Sequence, residues 1–170
     1  MSLWTRLWAP ERARRLEALG ELAVVRPQER VELDGVVELL EPVTCPVTGA
    51  AAVAIEYRAW PQSSMPGIDG LGAQHSRAFQ VRRQQAADFL LRDGAQCVLV
   101  RVDRGDDVMA MHRELLARHG VGLRSEQHLI RAGARVRVVG RLETRGPASS
   151  PHRSEAHLAV LQAQRFWRVP

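Results

Sequence analysis

The stretch Gly35–Trp60, GVVELLEPVTCPVTGAAAVAIEYRAW, constrains this chain more than any other part of it. Two runs, Gly35 to Leu40 and Ala51 to Ala59, suit strands, because β-branched side chains pack well on a pleated surface. Between them Pro42, Pro46 and Gly49 suit a tight reversal. The spacing predicts two strands joined through a turn-rich connector.

Strand signals recur on both sides of this stretch. The first strand is expected from about Val31 to Leu40. Others are expected at Ser76 to Arg82, at Asp88 to Leu91 and at Cys97 to Asp103, with Asp93-Gly94 as a hairpin signal between the last two. Asp107 can cap a helix from Val108 to about Arg118, which Gly120 ends. Ser125 to Arg131 reads as a short helical or irregular segment, followed by strands at Ala134 to Thr144 and at about Ala156 to Trp167. Near the start, Pro10 to Leu19 reads as a short helix closed by Gly20, with Leu16 and Leu19 facing inward. Together these predict a mainly β fold. It is a small, partly open OB-like β-barrel with one principal helix between strands five and six, plugging an end, plus a short N-terminal helix. Residues 1–21 would form the helical segment and 22–170 the barrel domain.

Charge narrows the partners. The chain has 170 residues and a formal charge of +5, and all 24 of its Lys/Arg cations are arginine. Arginine stays protonated and pairs flatly with carboxylates and phosphates. The C-terminal part is the richest, with Arg124, Arg131, Arg135, Arg137, Arg141, Arg145, Arg153, Arg165 and Arg168 against Glu126, Glu143 and Glu155. Such an end attracts nucleic acid or acidic proteins, although a solvated basic surface gives the same pattern. No apolar run is long enough to cross a bilayer, and the start lacks a secretory signal, so a cytoplasmic location is expected. Cys45 and Cys97 do not make a disulfide framework; Cys97 reads as a small core residue.

Constellations that carry chemistry are weak. His112 and His119 lie nearly on one side of the expected helix, but metal ligation would need more ligands. Ser63 and Ser64 lack the surroundings of a nucleophile elbow, and Gly67, Gly70 and Gly72 precede a strand, not a helix. Asp103, Asp106 and Asp107 suit a helix start as well as a cation. Cys45, between two turn prolines, is either an exposed thiol or, preferably, a structural turn residue. No catalytic centre, metal or cofactor is expected.

Several pieces in order resemble the GIDE domain family, a module of mitochondrially anchored RING-type ubiquitin ligases and of many shorter bacterial proteins. The pieces are Gly35-Val36-Val37, then Pro42 to Gly49 with its Cys-Pro-Val-Thr-Gly core, and Val53 to Tyr57. Later come Asp88 to Gly94, Val98 to Val102, and Glu126 to Gly140. The cysteine/histidine-rich zinc module of the ligases has no counterpart here, nor has a membrane span. The resemblance implies a non-catalytic protein-interaction or scaffold module, a component of a larger bacterial multiprotein assembly, with other protein subunits as partners. Leu3, Trp4, Leu7 and Trp8 share one side of a helical turn and form either a lid on the barrel's own core, expected for Trp8, or a partner contact, expected for Trp4; further partner contacts are expected from Met65, Ile68 and Leu71 in the Pro61 to Ala73 loop. The alternative is a single-stranded nucleic-acid-binding protein using Arg131, Arg135, Arg137, Arg141 and Arg145.

Overall fold

The computed structural model describes residues 13–61, 81–120, 123–143 and 159–170. Eleven strands are seen: β1 Arg14–Arg15, β2 Arg30–Leu39, β3 Val43–Thr44, β4 Ala51–Ala52, β5 Ala54–Pro61, β6 Val81–Ala86, β7 Phe89–Asp93, β8 Gln96–Arg101, β9 Leu123–Ile130, β10 Arg135–Glu143 and β11 Val160–Arg168. A 3-10 turn, Leu19–Val24, and one α-helix, α1 (Val108–His119), complete the described elements. No helix among the described residues is long and apolar enough to cross a membrane.

Pairing closes a ring of strands. β2 pairs antiparallel with β10 and with β7, β7 with β8, and β10 with β11; a short parallel contact of β11 with β8 joins the ends. The alternation of β10 explains its place: Val136 and Val138 point inward and are fully buried, while Arg135 and Arg141 are exposed. Val31, Leu33, Phe89, Leu91, Val98, Val100 and Leu161 fill the same interior. The β10–β11 register shifts between Val139 and Gly140, a bulge that bends the pair. Gly140 lies so close to the Gln162 carbonyl that a Cβ there would collide with it. The β7–β8 hairpin forms as its sequence predicts, with Gly94 at φ +56° in the connecting turn.

A second sheet stands beside the ring, in the order β6-β5-β9. α1 crosses one face of it, with Val108 and Leu115 buried against Ile55, Tyr57 and Ala59. Burial of two such side chains contributes roughly 1.5–3 kcal/mol apiece. The helix ends where its residues say it should. The Asp107 carboxylate accepts from the Ala110 amide at 2.9 Å, and Gly120 takes φ +56° at the other end.

Four expectations are corrected. Gly35–Leu40 and Ala51–Ala59 do not pair with each other: β2 belongs to the ring and β5 to the small sheet, and the connector folds into its own hairpin, Val43 opposite Ala52. Residues 125–131 do not form a helical or irregular segment; Leu123–Ile130 is strand β9. Consequently α1 leads into β9 rather than directly into the strand at 135, and it packs on β5, β6 and β9 instead of plugging the ring. Within Pro10 to Leu19, the described part is not α-helical. Arg14 and Arg15 lie parallel to Val31 and Glu32, and the Leu16 amide donates to the Glu32 carbonyl at 2.9 Å. Leu16 and Leu19 are buried as expected, but a strand followed by a 3-10 turn reproduces their three-residue spacing. Arg15 helps to settle the choice, because it reaches Glu32 at 2.7 Å and Asp34 at 3.4 Å across the sheet.

Candidate functional site

β5 is the spine of the small sheet, and its alternation divides the chemistry. Ile55, Tyr57 and Ala59 turn toward α1; Ala54, Glu56, Arg58 and Trp60 turn away. Pairing extends this second face sideways, placing Gln84 and His128 on either side of Glu56, and Arg82 and Glu126 on either side of Arg58. Glu56 is ion-paired to Arg58 at 2.8 Å and to Arg82 at 2.5 Å. Its partial burial raises its pKa, and the bonds and charges of those two arginines overcome that, leaving it below the usual carboxylate range.

A cleft of about 1020 Å³ opens between this face and the ends of β10 and β11. Arg58, His128, Arg131, Trp167 and Arg168 line it, with Glu56. Gln127, His128, Leu129 and Ile130 all reach it, although successive side chains of a strand point to opposite faces. Ala54, Ile55 and Glu56 of the central strand β5 do the same, so the cleft runs along both strands, with β9 as one wall. Among the described residues β9 pairs with β5 alone. The opposite edge of the sheet is treated differently. There the Asp106 amide donates to the Gln84 carbonyl at 2.9 Å and the Ala86 amide to the Arg104 carbonyl at 3.0 Å, so the loop around Gly105 covers β6.

Arg131 sits at the corner where β9 leaves the cleft. The turn is held by the Ala134 amide on the Arg131 carbonyl and by the Gly133 amide on the Val37 carbonyl, with Gly133 at φ +77°. Arg131 and Arg168 are exposed and make no ion pair among the described residues. Trp167 is half-buried, with the Arg165 guanidinium 5.5 Å from its ring centroid.

The expected arginine stripe is broken up. Arg131 lies in the cleft and Arg135 is exposed at the start of β10. Arg137 is committed internally, with Nε 2.7 Å and Nη2 2.9 Å from the two Asp34 oxygens, and Nε 3.5 Å from Glu32. Arg141 is exposed farther along the same strand. Arg145 lies outside the described residues, as do Leu3, Trp4, Leu7, Trp8, Met65, Ile68 and Leu71. Arg58 and His128 were passed over by sequence reasoning; the period-2 pairing of β5 with β9 is the signal that joins them.

Two polar pairs lie on the α1 side of the sheet. Cys45 is fully buried, so its thiol belongs to the turn and is not exposed. Its sulfur accepts from the Thr48 hydroxyl at 2.8 Å and the Thr48 amide at 3.5 Å, and its thiol donates to Gln127 Oε1. Burial pushes this thiol up, but the bonds from Thr48 and the Val47 amide, with the charge of Arg131, bring it below its ordinary value. His112, also buried, holds its Nδ1 2.7 Å from the Tyr57 hydroxyl, the rings 5.5 Å apart and edge-on. His119 is half-buried, and the two histidines do not share a ligand set among the described residues.

Compared with known proteins, the chain matches no family model and no curated protein sequence.

Proposed function

We propose that the chain is a non-catalytic protein-interaction or scaffold module of GIDE-like type, built on an OB-like barrel and working in a larger bacterial multiprotein assembly. The barrel reading is supported by the pairing: five strands close on themselves, with the third and fifth of them, β8 and β11, parallel. The interaction reading rests on one observation, the cleft that runs along β9, the outer strand of the small sheet, and is bordered by exposed Arg131 and Arg168. A sheet edge with no second strand among the described residues, beside two exposed arginines, is the architecture of a recognition surface. Size fractionation of the chain mixed with cell lysate tests this. A defined complex is expected, lost on Arg131→Glu/Arg168→Glu at unchanged melting temperature. Migration of the unmodified chain solely as a free monomer would overturn it.

Single-stranded nucleic-acid binding is the second reading, favoured by Arg131, Arg135 and Arg168 lying without ion pairs among the described residues near Trp167. Titration with a labelled oligothymidylate at low and high salt decides it. Tight binding that weakens steeply with salt would put this reading first.

A further inference from the structure

Resting on the interaction reading above, we propose that the cleft takes an extended, acidic peptide segment as an added strand on the edge of β9. Three observations carry this. First, Gln127 to Ile130 of β9, with Arg131 to Ala134 beyond them, form one continuous wall of the cleft, so an extended segment lying in it would run along β9. Second, the sheet is managed asymmetrically: the loop around Gly105 covers β6, while β9 has no second partner among the described residues. An edge left in this state templates pairing by another segment. Third, the side chains around it sort the sequence of that segment. Arg131 and Arg168 carry charge that no carboxylate among the described residues neutralises, whereas Glu56 is spent on Arg58 and Arg82. Main-chain bonds to β9 would supply affinity, and alternate acidic side chains would meet the arginines, in the manner of β-augmentation. Among the described residues the only rings in the cleft outside the core are Trp167 and the His128 imidazole, too few for a stacking platform, which turns the balance from nucleic acid to peptide.

The probe is a short peptide of alternating glutamate and valine, titrated against isotope-labelled full-length chain while backbone amide shifts are followed. Shifts should concentrate on residues 127–131, and Arg131→Glu/Arg168→Glu should weaken binding by about tenfold or more. Methylating every backbone nitrogen of the peptide should weaken it by a similar factor, roughly tenfold, since the ladder cannot form. Equal binding of the methylated peptide, shifts away from β9, or a preference for the lysine–valine analogue or for oligothymidylate would each overturn the proposal. Failure of the acidic peptide to bind while the lysate complex still depends on Arg131 and Arg168 would overturn this inference and leave the interaction reading standing. Loss of both would remove the two together.

Discussion

Tyr57 and His112 stand 55 positions apart in the chain, and the tyrosine hydroxyl meets the imidazole Nδ1 at 2.7 Å beneath α1. Each is a polar group in an apolar layer, and each removes the other's burial cost. Tyr57→Phe leaves Nδ1 without that partner and should cost roughly 1–2 kcal/mol, seen as a drop in melting temperature. Burial holds His112 below its ordinary value of 6.5. The unfolded chain therefore takes up this proton first as pH falls. Stability from this site is fully present above about pH 6.5 and is lost as pH drops toward the folded value. Thermal melts between about pH 7 and pH 5 should show this loss, and His112→Gln should flatten that part of the profile.

Asp34 and Arg137 should behave as a partly buried bidentate pair. The hydrogen bonds from Arg137 dominate the lowering of the Asp34 carboxyl, against burial, with further help from the charges of Arg137, Arg15 and Arg135. Its contribution is present above the ordinary value of 3.8 and disappears as pH falls through the lower, folded value. Asp34→Asn should lower stability by about 1–3 kcal/mol at neutral pH, and acid titration by circular dichroism should become shallower. An unchanged acid limb would show that the pair carries no linkage.

The two thiols should separate by access. Cys45 has the lowered pKa, yet none of it is exposed, whereas Cys97 is half-buried on β8. A disulfide reagent such as DTNB should label Cys97 quickly and Cys45 only at the rate of opening, as peptide mass mapping would show. Cys45→Ala should also strand Gln127 and Thr48, at a cost of roughly 1–3 kcal/mol.

Gly140 marks the bulge where β10 meets β11, and a methyl group there would strike the Gln162 carbonyl. Gly140→Ala should destabilise the ring by about 2–4 kcal/mol, measured by chemical denaturation. Gly49, with open space around its Cβ position but φ +69°, should lose less on the same change, from backbone strain alone.

Residues whose neighbours in sequence also decide their conformation were legible. The Asp93-Gly94 turn, the Asp107 cap, the Gly120 stop and the alternation in β10 each carry a local cause, and each stands where expected. What escaped is set by distant contacts. β9 has Ser125 and Gln127 on its inward side, between Leu123 and Leu129, so its apolar alternation is diluted; Gln127 is there to accept from Cys45, a partner 82 positions away. Arg14 and Arg15 look helical in isolation and become a strand because β2 offers them a ladder and carboxylates. The cleft is less legible still, since Arg58, Arg131 and Arg168 come from three strands or their ends, and nothing in their local sequence sets them apart from the other arginines.

The small sheet is assembled from two separate excursions of the chain, β5 and β6 between ring strands β2 and β7, and β9 between β8 and β10. During synthesis the β5–β6 hairpin emerges long before β9 exists. Until then the seat that β9 will occupy is itself a vacant edge, with Tyr57 still lacking its cover from α1. Closing it requires a non-local pairing, Ala54 with Ile130, which loop entropy delays. The newborn chain thus passes through an interval in which a chaperone, or β9 of another copy, can claim that edge first.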